Sequence, residues 1–338
     1  MKHIALLACC GALVAGLSCA GARSEEPADS LVYDAMAAPA SISYAGTVQR
    51  VRIGNAGSEA SVFSIEHRAP NQTVRRYTTP LAMSGDYVIT RGVQTYSVDV
   101  KRRRVVVGKN DAVNDQIAID NNYLLLRQNY RAVKRGAESL DGRDVIDVGL
   151  INKYTHRTTV IVKIDSETKL VLDKQQFAGD GSLIAETRFE AVRYGAAIPD
   201  GDFTVPPAYS SVSGPAFATP SDDPHAITAN AGFAAREPKF LPEGFSPVEG
   251  SIVILRGVRT LHVLYSDGLR TVSLFENESS AAVNMGKLRP QATTIGGGPA
   301  DYAESGPTTL LAWRDRSLHY ALVGELELTE LKRIAGSI

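Results

Sequence analysis

The chain is poor in the residues that carry thiol, metal and nucleic-acid chemistry. Of its 338 residues only Cys9, Cys10 and Cys19 are cysteine, and none follows position 19. Past that segment, disulfide staples, cysteine zinc sites and thiol nucleophiles are all excluded. An excess of one charge is missing too. The 36 basic and 37 acidic residues give a formal net charge of −1, which argues against the strongly basic surface of a nucleic-acid binder. Nowhere is there an apolar run of the ~20 residues that a membrane-spanning helix needs. His67, His156, His225, His262 and His319 never fall within four positions of one another, and no H-E-x-x-H motif occurs. No metal site or cofactor is therefore expected. No serine is flanked by glycine two residues away on both sides, so the nucleophile elbow of a hydrolase is missing. No catalytic residues can be nominated, and the chain reads as a binding protein rather than an enzyme.

What is present is ordinary globular composition, 44% apolar and 22% charged, enough to build a core. The first residues are the exception. Met1-Lys2-His3 is a short basic start, Ile4 to Leu17 is apolar and small, and Ser18 to Ala22 is a cluster of small residues. This is the pattern of a cleavable signal peptide over 1–22, which implies export to the periplasm. The rival reading is a lipoprotein anchored through Cys19. Against it, Gly16 stands where a lipobox carries leucine.

Residues 28–38 suit one helix. From Gly46 on, β-branched and aromatic residues alternate with polar ones, which predicts strands at 46–53, 61–65, 87–90, 96–100, 105–107, 144–150, 158–164, 170–177 and 187–194. Residues 111–135 are less regular and suit a helical segment ending near Asn129-Tyr130. Nine or ten strands with few helices imply a large curved antiparallel sheet or barrel-like half-shell. Residues 206–230 hold Pro206, Pro207, Pro215, Pro220 and Pro224 and no periodicity, as expected of a linker. The domains expected are thus 28–205 and 231–338. The second is smaller, with strands at 251–255, 261–265, 271–276, 308–314 and 317–324. A terminal helix follows, with Thr329 as its N-cap.

Several local features have bland explanations. Ser266-Asp267-Gly268 suits a tight turn between two strands. Gly296-Gly297-Gly298-Pro299 suits a mobile loop. The acidic pairs Glu276/Glu278 and Asp222/Asp223 suit solvated surface. Lys101-Arg102-Arg103-Arg104 is the sharpest basic run, either a solvated hairpin tip or a contact for an acidic partner or lipid phosphate.

Leu261-His262-Val263-Leu264-Tyr265-Ser266-Asp267-Gly268-Leu269, followed by Thr271 to Glu276, resembles the MucB/RseB family of periplasmic regulators of envelope-stress sigma factors. Pro238 to Phe245 resembles that family's Pro-x-x-Leu-Pro-x-Gly-Phe segment. His319 to Gly324 and Leu331 to Ala335 resemble its last strand and helix. Weaker matches run through Tyr44 to Thr47, Ile65 to Arg68, Asn129-Tyr130, Gly142-Arg143, Asp165 to Leu172 and Asp180-Gly181. The resemblance implies an N-terminal unclosed antiparallel β-barrel, lipoprotein-carrier-like with an apolar cavity, plus a smaller C-terminal α+β domain. It also implies binding to the periplasmic part of a membrane anti-sigma factor, which is shielded from proteolysis until a lipid or lipopolysaccharide signal releases it. The alternative is a periplasmic lipid or lipoprotein carrier. Tyr265, Asp267, Leu269, Arg102, Arg103 and Arg104 are the expected partner contacts, with core packing as the other role for Tyr265 and Leu269. Val98, Val100 and Val160 are the expected cavity positions, with a closed core as the other reading.

Overall fold

The computed structural model describes residues 26–54, 57–109, 116–213, 216–217, 221, 223–255, 257–278, 285 and 288–338. The expected signal segment, with Cys19, lies outside the described residues, as does Asp222.

Helix α1 (Ala28–Ala37) leads into a meander of β1 (Tyr44–Gly54), β2 (Gly57–Arg68), β3 (Gln72–Thr79), β4 (Tyr87–Arg91), β5 (Gln94–Asp99) and β6 (Arg104–Lys109). Helix α2 (Gln116–Asn129) starts a second meander of β7 (Tyr130–Leu140), β8 (Arg143–Asn152), β9 (Thr158–Asp165), β10 (Val171–Phe177) and β11 (Leu183–Tyr194). β11 pairs antiparallel with β1 and joins the two meanders. β12 (Ser210–Ser213) adds parallel to β6. The resulting twelve-stranded sheet has β12 and β7 at its two edges, so it is unclosed, as expected.

The two helices lie on one face, called inner here. Leu31, Val32 and Ala35 of α1 and Leu126 of α2 pack on Val148, Leu150, Val160 and Ile164. Full burial of each such Leu, Ile or Val contributes about 1.5–3 kcal/mol. Segments singled out in the sequence meet in space. Tyr44 stands opposite His67 in the β1–β2 ladder, and their rings stack at 4.9 Å. His67 Nε2 lies 2.7 Å from the Pro39 carbonyl. Arg143 donates to Asp165 through Nε (2.7 Å) and Nη2 (3.1 Å). Burial alone would push Asp165 up. Hydrogen bonds from Arg143, from the Thr168 and Glu167 amides and from Tyr194 hold it at about 2.

The second sheet comprises β13 (Ala216–Phe217), β14 (Ser246–Leu255), β15 (Val258–Ser266), β16 (Thr271–Asn277), β17 (Gln291–Ile295), β18 (Gly298–Ser305), β19 (Thr308–Asp315) and β20 (Leu318–Gly324). Helix α3 (Pro224–Ala229) precedes β14, and α4 (Leu328–Ala335) closes the chain. The strand order is β13-β14-β15-β16-β20-β19-β18-β17. Leu331, Ile334 and Ala335 of α4 share a core with Leu261, Val263, Leu274, Leu311 and Leu322. Trp313 stacks on Tyr320 at 5.0 Å. Of the segment between the sheets, β12 pairs with the first sheet, while β13 and Ser221 pair with β14 of the second.

The structure corrects several expectations. Strands β3, β7, β12, β13, β17 and β18 were not expected. β3 carries Arg75-Arg76 in its middle, and β7 is an edge strand, exposed over residues 136–139, where alternation is not required. Gly296 and Gly297, expected in a mobile loop, form the tight turn of the β17–β18 hairpin, with φ of +56° and +85°. Thr329 lies inside α4, whose N-cap is Glu327. Glu276 is not solvated surface but fully buried. Its Oε2 accepts from the Arg236 amide at 2.9 Å, and its Oε1 has no hydrogen-bond partner among the described residues.

Burial pushes Glu276 up to about 7, with the Arg236 amide opposing. A carboxyl raised above its unfolded value favours the folded state at low pH. That contribution is lost as pH rises from about 4.5 towards 7. Glu276→Gln, which cannot ionise, should therefore raise Tm at pH 8 and far less at pH 5. Thermal melts at the two values check this, and an equal gain at both would rule out ionisation as the cause.

Candidate functional site

The two domains meet at the end of α2. The side chain of Asn129, its last residue, donates from Nδ2 to the carbonyls of Gly244 (2.9 Å) and Asp267 (3.0 Å), both in the second domain. The next residue, Tyr130, donates its hydroxyl to Asp267 Oδ2 at 2.7 Å. Asp267 sits in the β15–β16 turn and is 0% exposed. Its Oδ1 accepts from the amides of Leu269 (2.9 Å) and Arg270 (2.7 Å), and Arg270 Nε reaches Oδ2 at 2.9 Å. A fully buried carboxylate is tolerable only with this many donors. Burial and the Asp267 carboxylate both push the Tyr130 hydroxyl well above its usual value, so it stays a protonated donor. The Arg270 guanidinium also lies 5.2 Å from the Phe245 ring.

Gly268 is forced by this contact. Its φ is +95°, and a Cβ there would stand 2.6 Å from backbone atoms of Leu126 in α2. Leu269 then packs against the first-domain core.

A second contact lies at the β1–β2 hairpin. Arg52 donates to Thr308 Oγ1 at 2.8 Å, and the backbones of Gly54 and Gly306 come so close that no Cβ fits at Gly54. Between the two contacts lies a cleft of about 1510 Å³. The first domain lines it with Ile53, Arg157 to Val160 and the Gln176 to Ile184 hairpin. The second lines it with Phe240, Tyr302, Glu304 and the Glu325 to Glu330 segment.

Cations project from the inner face beside this cleft. Arg50, Thr187 and Lys174 stand directly opposite one another across β1, β11 and β10, so all three point the same way. Arg50 lies 5.5 Å from the Phe63 ring. Burial pushes its guanidinium below the usual value, and Arg75 and Arg52 add to that. Lys174 is also pushed down by burial, against the pull of Glu325 in the second domain. Among the described residues, none of Arg50, Arg75 and Lys174 makes an ion-pair contact with a carboxylate. The arrangement can hold an anionic group.

The residues nominated from sequence fall in four places. Tyr265 is in the second-domain core. Asp267 and Leu269 are at the interdomain contact. Arg102, Arg103 and Arg104 are exposed around the β5–β6 turn, away from the cleft, and Arg102 pairs with Asp99 at 2.8 Å. Val98 and Val160 are both buried but lie on opposite faces of the sheet. Val98 stands opposite Tyr87, whose ring packs with Ile89 and Phe203, whereas Val160 packs under the helices. Val100 is half-buried beside the β5–β6 turn. The three valines therefore do not share a wall. The residues missed were Asn129, Tyr130, Gly268, Arg270, Arg50 and Lys174 as participants. The signal for Arg50 and Lys174 was a cation two positions after Val48 and Leu172, on the apolar side of the alternation.

Residues 28–207 match the profile described as the MucB/RseB N-terminal domain. Among solved structures, a chain of the Pseudomonas aeruginosa MucA/MucB complex superposes with a TM-score of 0.62 at 17% identity, over 92% of this chain and 97% of that one. MucB in complex with MucA(peri) gives 0.61 at 17% identity, over 92% and 97%. MucB alone gives 0.54 at 17% identity, over 92% and 96%. At such identity the likeness is one of fold, and it extends over both domains. No curated protein matches the sequence significantly.

Gly268→Ala should strain the turn and push α2 away. The expected result is a larger radius of gyration in X-ray scattering and faster proteolysis within residues 206–230. Tyr130→Phe should lower stability by about 1–3 kcal/mol, because Asp267 loses a donor while staying buried. Chemical denaturation measures it, and a neutral result would mean that the hydroxyl contributes nothing to the contact.

Proposed function

The chain belongs to the MucB/RseB family, and on that premise we propose that it is a periplasmic negative regulator of an envelope-stress sigma factor. It binds the periplasmic part of a membrane-anchored anti-sigma factor and shields it from proteolysis. The observation that carries this reading is the cleft of about 1510 Å³ walled by both domains. That volume exceeds the roughly 300–1,000 Å³ of a small-molecule pocket and suits a length of polypeptide. Both MucB complexes that share this fold contain MucA or its periplasmic part. A partner that touches both walls is sensitive to how the domains sit, so whatever alters the Asp267 contact alters its grip.

Release by a lipid or lipopolysaccharide is the second element of the proposal. It is supported by the Arg50–Thr187–Lys174 row, which lies among apolar side chains such as Val48, Phe63 and Phe189 and forms no ion pair with a carboxylate among the described residues. Lys174 feels Glu325 of the cleft wall, so an anion on the row and a peptide in the cleft would influence each other. The same row would serve a lipid carrier, and acceptor-dependent transfer of bound acyl chains is the result that would favour that reading.

Co-expression with the periplasmic domain of an anti-sigma factor encoded beside the gene should give a stable complex. Arg introduced at both Phe177 and Ile184, in the cleft wall, should weaken it at least about tenfold, equivalent to about 1.4 kcal/mol. No complex with any such domain would remove the reading. Arg50→Gln with Lys174→Gln should keep the complex and blunt its release by lipopolysaccharide. Unchanged release would assign sensing elsewhere.

A further inference from the structure

Successive antiparallel strands turn at alternating ends of a sheet, so the β3–β4 and β5–β6 connections emerge at the same end. Here they touch. Lys101 Nζ donates to the Leu81 carbonyl at 3.2 Å, and the Val100 amide donates to Asp86 Oδ1 at 2.9 Å. The joint tip exposes Leu81 at 83% and Met83 at 39%, and Pro80 and Ala82 beside them are exposed as well. Lys101, Arg102, Arg103 and Arg104 are all exposed around the neighbouring turn. Arg102 is paired with Asp99, and Arg103 lies 5.8 Å from the Tyr209 ring. Arg104 stands opposite Asp99 in the β5–β6 ladder and helps to hold its carboxyl below the usual value, and among the described residues neither Lys101 nor Arg104 forms a salt bridge as close as that of Arg102 with Asp99.

A leucine this exposed adds nothing to the core and leaves apolar surface in water. Beside a run of cations it forms a combination suited to an anionic lipid interface. The apolar side chains enter the boundary of the acyl region while the cations stay among the phosphates. A projecting pair of turns fits a flat surface better than a peptide, and none of residues 80–86 or 100–104 lines the cleft. We propose that this tip docks the protein onto an anionic phospholipid bilayer and leaves the cleft free for its partner. The proposal is independent of what the cleft binds. If the proposed function also holds, docking turns the encounter with a membrane-anchored partner into a search on a surface rather than in a volume.

The test is co-sedimentation of the full processed chain with vesicles of phosphatidylcholine alone or mixed with phosphatidylglycerol. Binding is expected to the mixed vesicles only, and to weaken with salt. Lys101→Gln with Arg104→Gln should reduce it at least about tenfold, and Leu81→Asp at least about fivefold. Both variants change exposed side chains, so unchanged melting curves confirm that they fold. The proposal is overturned by no binding to mixed vesicles, by equal binding to phosphatidylcholine, or by variants that bind like the parent. It is equally overturned if the basic-site variant loses an anti-sigma domain in solution while its vesicle binding is unchanged, because the tip would then be a protein contact.

Discussion

The relation between the two domains depends on one buried carboxylate. Asp267 closes its own turn through the amides of Leu269 and Arg270 and the Arg270 guanidinium, and it takes a fourth donor, Tyr130, from the other domain. Removing such a charge from water is costly unless donors replace the water. The second domain therefore needs the end of α2 to complete the site. Gly268 lets the turn come within backbone contact of α2, and Asn129 ties the two carbonyls that flank the junction. Because the donors come from both domains, the geometry of the junction is set by hydrogen-bond directions. Apolar packing alone would leave it free to slide.

That anchor gives the cleft its form. With the Asp267 junction on one side and the Arg52–Thr308 contact on the other, the domains stand apart between two fixed points. The wall on the first domain consists of strand ends and hairpins, and the wall on the second includes the segment leading into α4. Lys174 feels Glu325 across this gap. A change of charge on the inner face is thus felt at the wall a peptide would touch. On the proposed function, this is the route by which a ligand on the inner face and a partner in the cleft would be coupled.

Much of the fold was legible. The helix at 28–38, the end of α2 at Asn129-Tyr130 and the strands in which β-branched residues alternate all follow from local pattern. The strands that escaped are those whose pattern is spoiled by position. β3 carries two adjacent arginines, and β7 and β17 are edges with little apolar surface to bury. Gly296-Gly297 was legible as a break in the pattern but not as a hairpin, because β17 and β18 are too polar to declare themselves. The candidate site was legible in its pieces only. The Tyr-Ser-Asp-Gly-Leu segment stood out, yet nothing local says that Asp267 meets Tyr130, 137 positions away.

By itself the sequence determined the chemical class of the protein. Thiols are absent past position 19, the charges nearly cancel, and alternation over most of its length commits the chain to sheets. These are properties of composition and of the two-residue period, and they need no partner in space. Tertiary structure decided which residues share a surface. Strand register placed Arg50 and Lys174 in one row and put Val98 and Val160 on opposite faces. The meander topology brought Leu81 beside Lys101. Register and topology are set by long-range pairing, which no local window of sequence contains, and so the cleft, the cation row and the exposed tip emerge only from the fold.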